Sequence, residues 1–309
     1  MIVHNDVEDL KLANPVVTMG IFDGVHRGHK AIIDRLVSVA GKINGESVVI
    51  TFHPHPRLVL EKGIENISFL STIEEKSDLL AKEGVGHLVI IEFNERLSKI
   101  RAVDFVKYIL VKKIGTKHLI VGYDHHFGYK GEGNYKTIIS CADSMGFLVE
   151  RVPGLQSGNN IISSSLIREA LTRGRIEDAN KWLGYNYFLK GFIVEGRKIG
   201  RSLGFPTANI EASCNYKLVP ADGVYAVEVQ LYGRKMKAML SIGHNPTVNT
   251  QSARRSVEVN IFDFDEDIYG KEIEIAFRYR LRDEIKFNNV EELARQMEID
   301  RAHALSLLI

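Results

Sequence analysis

In the first 180 residues, short apolar runs alternate with amphipathic stretches, and few folds accommodate that pattern. "PVVTM", "SVVITF", "HLVIIEF", "KHLIVG" and "GFLVERV" read as strands buried on both faces. Between them, "KAIIDRLVSVAGK", "IEEKSDLLAKEG" and "AVDFVKYILVKKIG" place apolar residues at helical spacing. Such alternation predicts a parallel, Rossmann-like α/β sheet with helices on both faces. "SSSLIREALTRGRIEDANKWLG" reads as two short helices broken at Gly174, and beyond it the texture changes. Period-two alternation in "VYAVEVQLYG", "KMKAMLSIG", "VEVNIFDF" and "KEIEIAFRY" predicts an antiparallel β-barrel or sandwich. "NVEELARQMEIDRAHALSLL", with an asparagine cap and acids in its first turn, predicts a C-terminal helix. The expected domains are residues 1–184 and 185–309.

A chain of 309 residues that is 45% hydrophobic and 26% charged has enough apolar material for two such cores. Its net charge of +1 lacks the footprint of a nucleic-acid binder, and no apolar run approaches the roughly 18 residues that span a bilayer. The N-terminus carries acids rather than a basic and then apolar leader, and the two cysteines, Cys141 and Cys214, have no metal-ligand spacing. These features predict a cytoplasmic protein without nucleic-acid or membrane partners and leave its oligomeric state open.

The chemistry concentrates in "GIFDGVHRGH", residues 20–29, between the first long strand and its helix. Open parallel sheets bind ligands at such strand ends, glycines admit phosphate oxygens to the backbone, and the helix start offers unpaired N–H groups. His26 and His29, three apart, share one helix face. A metal site would need a third ligand, for which "FHPHP" offers His53 or His55, but Pro54 and Pro56 favour an extended segment there. Phosphate is the expected ligand.

The same stretch resembles the H-x-G-H signature of the nucleotidyltransferase superfamily. Its longer form, with Phe22, Asp23 and Gly24, is similar to that of bacterial bifunctional riboflavin kinase/FAD synthetases. "TFHPHP", "VGYDHHFGYKGEGN" and "ISSSLIR" resemble three further segments of that family, in the same order. The resemblance implies adenylyl transfer from ATP to FMN, an in-line displacement in which the protein positions phosphates and stabilises their charge. His26, His29 and Arg168 would then be catalytic, with Gly20, Phe22, Asp23, Gly24, Gly28, Ser163, Ser164 and Ser165 around the phosphates. Phe52, Pro54, Pro56, Asp124, His125, Phe127 and Asn134 would face the flavin. His125 departs from the family, which usually has a phenylalanine there, and Ser165 replaces a threonine.

"GRKIGRSLGFPTANI", residues 196–210, resembles the riboflavin kinase motif, whose threonine and asparagine oxygens hold the Mg²⁺ of bound ATP. That resemblance implies Thr207 and Asn209 as metal ligands, Gly196, Gly200 and Gly204 around the nucleotide, Arg282 at the flavin and Glu258 as general base. "SIGHNPTV" and "LRDEIKF" extend the likeness over nearly the whole chain. Together the two halves imply phosphorylation of riboflavin to FMN and adenylylation of FMN to FAD, both with ATP and Mg²⁺, and so small-molecule partners. "DFDEDIYG" spaces acids by two, yet counted from Asp263 the sixth position of a calcium loop is Ile268 rather than glycine, so it reads as a turn.

Overall fold

The computed structural model describes residues 1–8, 10–61, 67–195, 206–244 and 255–308. The chain forms two compact units, Met1–Ser164 and Ser165–Ile309.

In the first unit, β1 (Ile2–His4), β2 (Val16–Met19), β3 (Ser47–His53), β4 (His87–Glu92), β5 (His118–Gly122) and β6 (Leu148–Val152) form one sheet. Their order is β1-β4-β3-β2-β5-β6, and every neighbouring pair is parallel. The helices are α1 (Arg27–Lys42), α2 (Pro56–Leu60), α3 (Ile73–Lys82), α4 (Glu95–Ser98), α5 (Ala102–Phe105), which continues as a π-helix over Val106–Ile114, and α6 (Tyr135–Met145). Val17, Met19, Val48, Ile50, Leu119 and Val121 pack with Phe105, Leu110 and Ile138 to form the sheet's apolar core. β2 lies centrally, and the chain winds outward from it through β3 and β4 on one side and through β5 and β6 on the other. Its C-terminal end is therefore the topological switch point, where such sheets open a crevice.

Three local expectations change. β6 is an edge strand with Leu148 67% exposed, so it is not buried on both faces. β1, too short to show periodicity, adds the opposite edge. Pro56 opens a five-residue helix instead of prolonging an extended segment, because the first helical position needs no N–H donor.

A small hairpin, β7 (Gln156–Ser157) and β8 (Asn160–Ile161), precedes α7 (Ser164–Thr172), which begins at the boundary between the units. α8 (Ile176–Leu183) follows after Gly174, whose positive φ of 70° makes the break expected from the sequence.

The second unit is a closed barrel of β9 (Phe188–Val194), β10 (Ala208–Ala212), β11 (Gly223–Leu231), β12 (Arg234–His244), β13 (Arg255–Ile261) and β14 (Glu272–Arg282). All pairs are antiparallel in the order β10-β13-β12-β11-β14-β9, and β9 pairs with β10 to close the ring. α9 (Val290–Leu307), capped by Asn289 as its sequence predicts, lays Ala304 against Ala226 and Met239. The Arg282 guanidinium binds the Asp300 carboxylate of α9 from Nε at 3.0 Å and from Nη2 at 2.7 Å, and Gln296 Nε2 donates to Asp300 Oδ1 at 2.9 Å. Asp300 is 4% exposed, so Asp300→Ala is expected to leave a largely desolvated guanidinium unpaired, at a cost of about 3 kcal/mol. A lowered urea midpoint for the barrel transition would register that loss, and an unchanged midpoint would remove the clamp from the account.

Candidate active sites

The loop between β2 and α1 is held by its own side chains. Asp23, 4% exposed, accepts through Oδ1 from the Leu70 amide at 2.8 Å and the Ser71 amide at 3.1 Å. Ser71 Oγ in turn accepts from the Gly24 amide at 3.0 Å. Gly24 has φ 76°, a conformation that favours glycine, and Phe22 and Val25 are held at φ 51° and 36°. Asp23 thus anchors the loop to the chain entering α3, a role that its place in the motif did not reveal.

His26 caps α1, and its Nδ1 accepts from the His29 amide at 3.3 Å, which leaves the proton of a neutral His26 ring on Nε2. The His26 and His29 rings stack with centroids 3.6 Å apart, and Phe22 meets His29 edge-on at 5.1 Å. Burial, then His26, then Lys76 hold His29 well below the usual histidine range, so it is neutral at pH 7. His29 Nδ1 is buried without a hydrogen-bond partner. A side chain added at Gly28 would press on the His26 ring at 3.1 Å. Ser164 Oγ donates to the Asp23 carbonyl at 2.9 Å, which brings the start of α7 to this loop. Arg168 lies one turn further along α7, where its Nη2 donates to Ser165 Oγ at 3.2 Å. Ser163 precedes the helix, and Gly20 donates its amide to the Ile50 carbonyl at 3.0 Å.

Lys76 was not singled out in the sequence. It is 6% exposed, on α3, and its Nζ donates to Thr51 Oγ1 at 3.3 Å, while that hydroxyl donates to the Ile21 carbonyl at 3.2 Å. Burial pushes its ammonium down to about 8, against a smaller opposing pull from Asp23. A signal existed: Lys76, Leu79 and Leu80 share one helical stripe, so a lysine stands where an apolar residue is expected.

Beside β3, a cavity of ≈ 620 Å³ is walled by Phe52, Phe93, Phe105 and Phe127 together with Leu97 and Ile100. Of the expected flavin-facing residues it contains Phe52 and Phe127. Phe93 and Phe105 escaped notice because each lies far in sequence from the motif segments. His125 stacks on Phe127 at 5.5 Å, burial pushes it down to about 4, and its Nε2 is buried without a partner. Asn134 caps α6 by accepting from the Lys136 and Thr137 amides, and Asp124 is exposed at the end of β5. Pro54 follows His53, and His55 caps α2 while stacking on Phe69 at 4.0 Å.

In the barrel, strand register gathers the second set. Asn209 of β10 pairs with Glu258 of β13, and Thr207 Oγ1 donates to Glu258 Oε2 at 3.4 Å. Asn260 Nδ2 holds the Pro206 carbonyl at 2.8 Å and so anchors the strand entry. A cavity of ≈ 220 Å³ opens beside Pro206, Thr207 and Val259, bounded by the 264–269 loop. That loop, the acid-rich "DFDEDIYG", is a connection between strands, as expected. Gly196, Gly200 and Gly204, and residues 245–248 of "SIGHNPTV", lie outside the described residues. Among the described residues no three His, Cys, Asp or Glu side chains form a metal cluster, so a cation here would draw ligands from hydroxyl, amide and phosphate oxygens.

A parallel sheet with a histidine pair at its switch point, joined to a closed barrel with a threonine–asparagine–glutamate group, defines a two-unit nucleotide-dependent transferase. Residues 9–166 match the family model for FAD synthetase and residues 183–308 that for riboflavin kinase. The chain belongs to the bifunctional riboflavin kinase/FMN adenylyltransferase family. Proteins of that name from Listeria monocytogenes and Bacillus subtilis are 40% and 36% identical, over 93% and 95% of this chain and 90% and 92% of theirs. The Escherichia coli K12 relative is 34% identical over 94% of this chain and 91% of its own. A solved structure described as a macrolide-efflux protein from Streptococcus pneumoniae has the same fold, with TM-score 0.88, 31% identity and 97% of each chain covered. Among the described residues, no helix is long and apolar enough to cross a membrane.

Proposed function

We propose that the chain phosphorylates riboflavin to FMN in the barrel and adenylylates FMN to FAD, with release of pyrophosphate, in the α/β unit. The observation that carries this reading is the preservation of two separate reactive groups in one chain: the stacked His26–His29 pair and the Thr207–Asn209–Glu258 group. On this reading the adenylyl-transfer part extends to residue 184 and the kinase part begins at 185.

In FAD formation an FMN phosphate oxygen attacks the α-phosphorus of ATP, and pyrophosphate leaves. No protein nucleophile is needed, so the residues act by orienting phosphates and by stabilising their charge. His29, held neutral by burial and its neighbours, donates an N–H group without a protonation step, and His26 donates beside it. Gly20, Phe22, Gly24 and Gly28 shape the loop, and Asp23 and Ser164 lock it to its neighbours. Ser163 and Ser165 flank the start of α7, and Arg168 supplies a cation for the leaving pyrophosphate. The flavin ring fits the phenylalanine-walled cavity, and Pro54, Pro56, Asp124, His125 and Asn134 are the further residues assigned to the flavin side.

In the kinase reaction Glu258 accepts the proton of the riboflavin 5′-hydroxyl as that oxygen attacks the γ-phosphorus. Thr207 and Asn209 present the hard oxygens that Mg²⁺ prefers, and they would hold it, with Gly196, Gly200 and Gly204 near the nucleotide. When bound, Mg²⁺ neutralises charge on the ATP phosphates. Arg282, already paired with Asp300, supports the flavin side through α9. The partners are small molecules, and two unpaired thiols among the described residues suit the cytoplasm.

Separate assays test this function: riboflavin with ATP is expected to give FMN, and FMN with ATP to give FAD and pyrophosphate. Absence of FMN in the first removes the kinase, and absence of FAD in the second removes the transferase.

A further inference from the structure

Lys76 has no part in the reading above, yet it is a buried cation on α3 that reaches the loop between β2 and α1 through Thr51 and the Ile21 carbonyl. An ammonium placed in a protein interior is costly unless an acid neutralises it. Here its hydrogen bond goes to a neutral hydroxyl, Thr51 Oγ1, at 3.3 Å. Asp23 is close enough to favour its charge, but Asp23 Oδ1 already accepts from the Leu70 and Ser71 amides. The same charge also reaches His29, whose Nδ1 is buried and unpartnered. A buried ammonium whose hydrogen bond goes to a neutral hydroxyl, beside a buried imidazole nitrogen without a partner, makes a local field suited to a multiply charged anion.

We infer that Lys76 is a positioning residue of the adenylyl-transfer site, whose buried ammonium supplies standing positive charge that draws in the polyphosphate and keeps His29 uncharged. The inference rests on the adenylyl-transfer reading. Lys76 acts through the field beneath loop 20–26 and through Thr51 and Ile21. The charged or titratable groups that interact with it are Asp23 from the loop and His29 from α1, with His26 behind it. Because its ammonium titrates near pH 8, its charge fades above that pH, and phosphate binding weakens with it. Below that pH the charge is complete and opposes protonation of His29.

The test uses the full chain with Lys76→Met and Lys76→Arg. Methionine keeps the unbranched shape without the charge, and arginine keeps the charge at every accessible pH. Calorimetric titration with inorganic pyrophosphate and Mg²⁺ at pH 7 is expected to show at least tenfold weaker binding to Lys76→Met and near-native binding to Lys76→Arg. In the profile of kcat/KM for FAD formation, the fall centred near pH 8 is expected to vanish in both variants. Lys76→Met should stay low throughout, with its acid limb displaced to higher pH. A merely structural lysine would lower the melting temperature and leave the pH profile of the surviving activity alone. Native pyrophosphate affinity in Lys76→Met, or an alkaline limb unchanged in either variant, overturns the inference. If the unsubstituted chain makes no FAD, the functional reading fails instead, and the pyrophosphate titration still judges Lys76.

Discussion

Glu258→Gln is expected to lower kcat for riboflavin phosphorylation by about 10²- to 10⁴-fold, while FAD formation from supplied FMN stays within twofold of the original rate. Glutamine preserves the shape and can still accept from Thr207 Oγ1, which lies 3.4 Å from Glu258 Oε2, so the strand pairing with Asn209 should persist. What disappears is the capacity to take a proton from the attacking hydroxyl. The loss should therefore fall on kcat, with KM for riboflavin little changed. Rates measured with riboflavin and with FMN as separate substrates check this. A kinase rate within a few-fold of the original would show that another group is the base.

His29→Ala is expected to do the reverse, reducing FAD formation from FMN by about 10²- to 10³-fold and sparing riboflavin phosphorylation. Its ring lies between His26, stacked at 3.6 Å, and the edge of Phe22 at 5.1 Å, an arrangement that two imidazolium ions would not tolerate. Burial and its neighbours hold His29 well below the ordinary histidine range, so the neutral donor is present at pH 7 and is lost only as the pH falls through that depressed value. The acid limb of FAD formation should accordingly lie well below pH 6.5. Alanine also leaves a cavity, so His29→Asn, which keeps a donor on a smaller side chain, serves as the second variant and should recover part of the rate. FAD formation at the original rate in His29→Ala would remove the histidine pair from the chemistry.

Much of this architecture is written locally. Helical and strand periodicities depend on residues within a few positions of one another, so "SVVITF", "KAIIDRLVSVAGK" and the C-terminal helix declare themselves, as does the break at Gly174. The histidine pair is legible for the same reason, since its members are three residues apart on one helix start. Thr207 and Asn209 are likewise close neighbours in the chain. Edge strands are less legible: β1 is three residues long, and the apolar look of "GFLVERV" hides an exposed Leu148.

The sequence alone determined the two-unit plan, the parallel sheet with its loop of histidines, and the family that such motifs imply. Tertiary structure decided which distant side chains meet. It gathered Phe52, Phe93, Phe105 and Phe127 around one cavity, tied Arg282 to Asp300, turned Asp23 toward the Leu70 and Ser71 amides, and buried Lys76 beneath Thr51. The physical reason is that backbone periodicity is a short-range property, whereas the surroundings of a side chain depend on strand order and helix packing. A charge or an aromatic ring acquires its role only when segments far apart in the chain have closed around it.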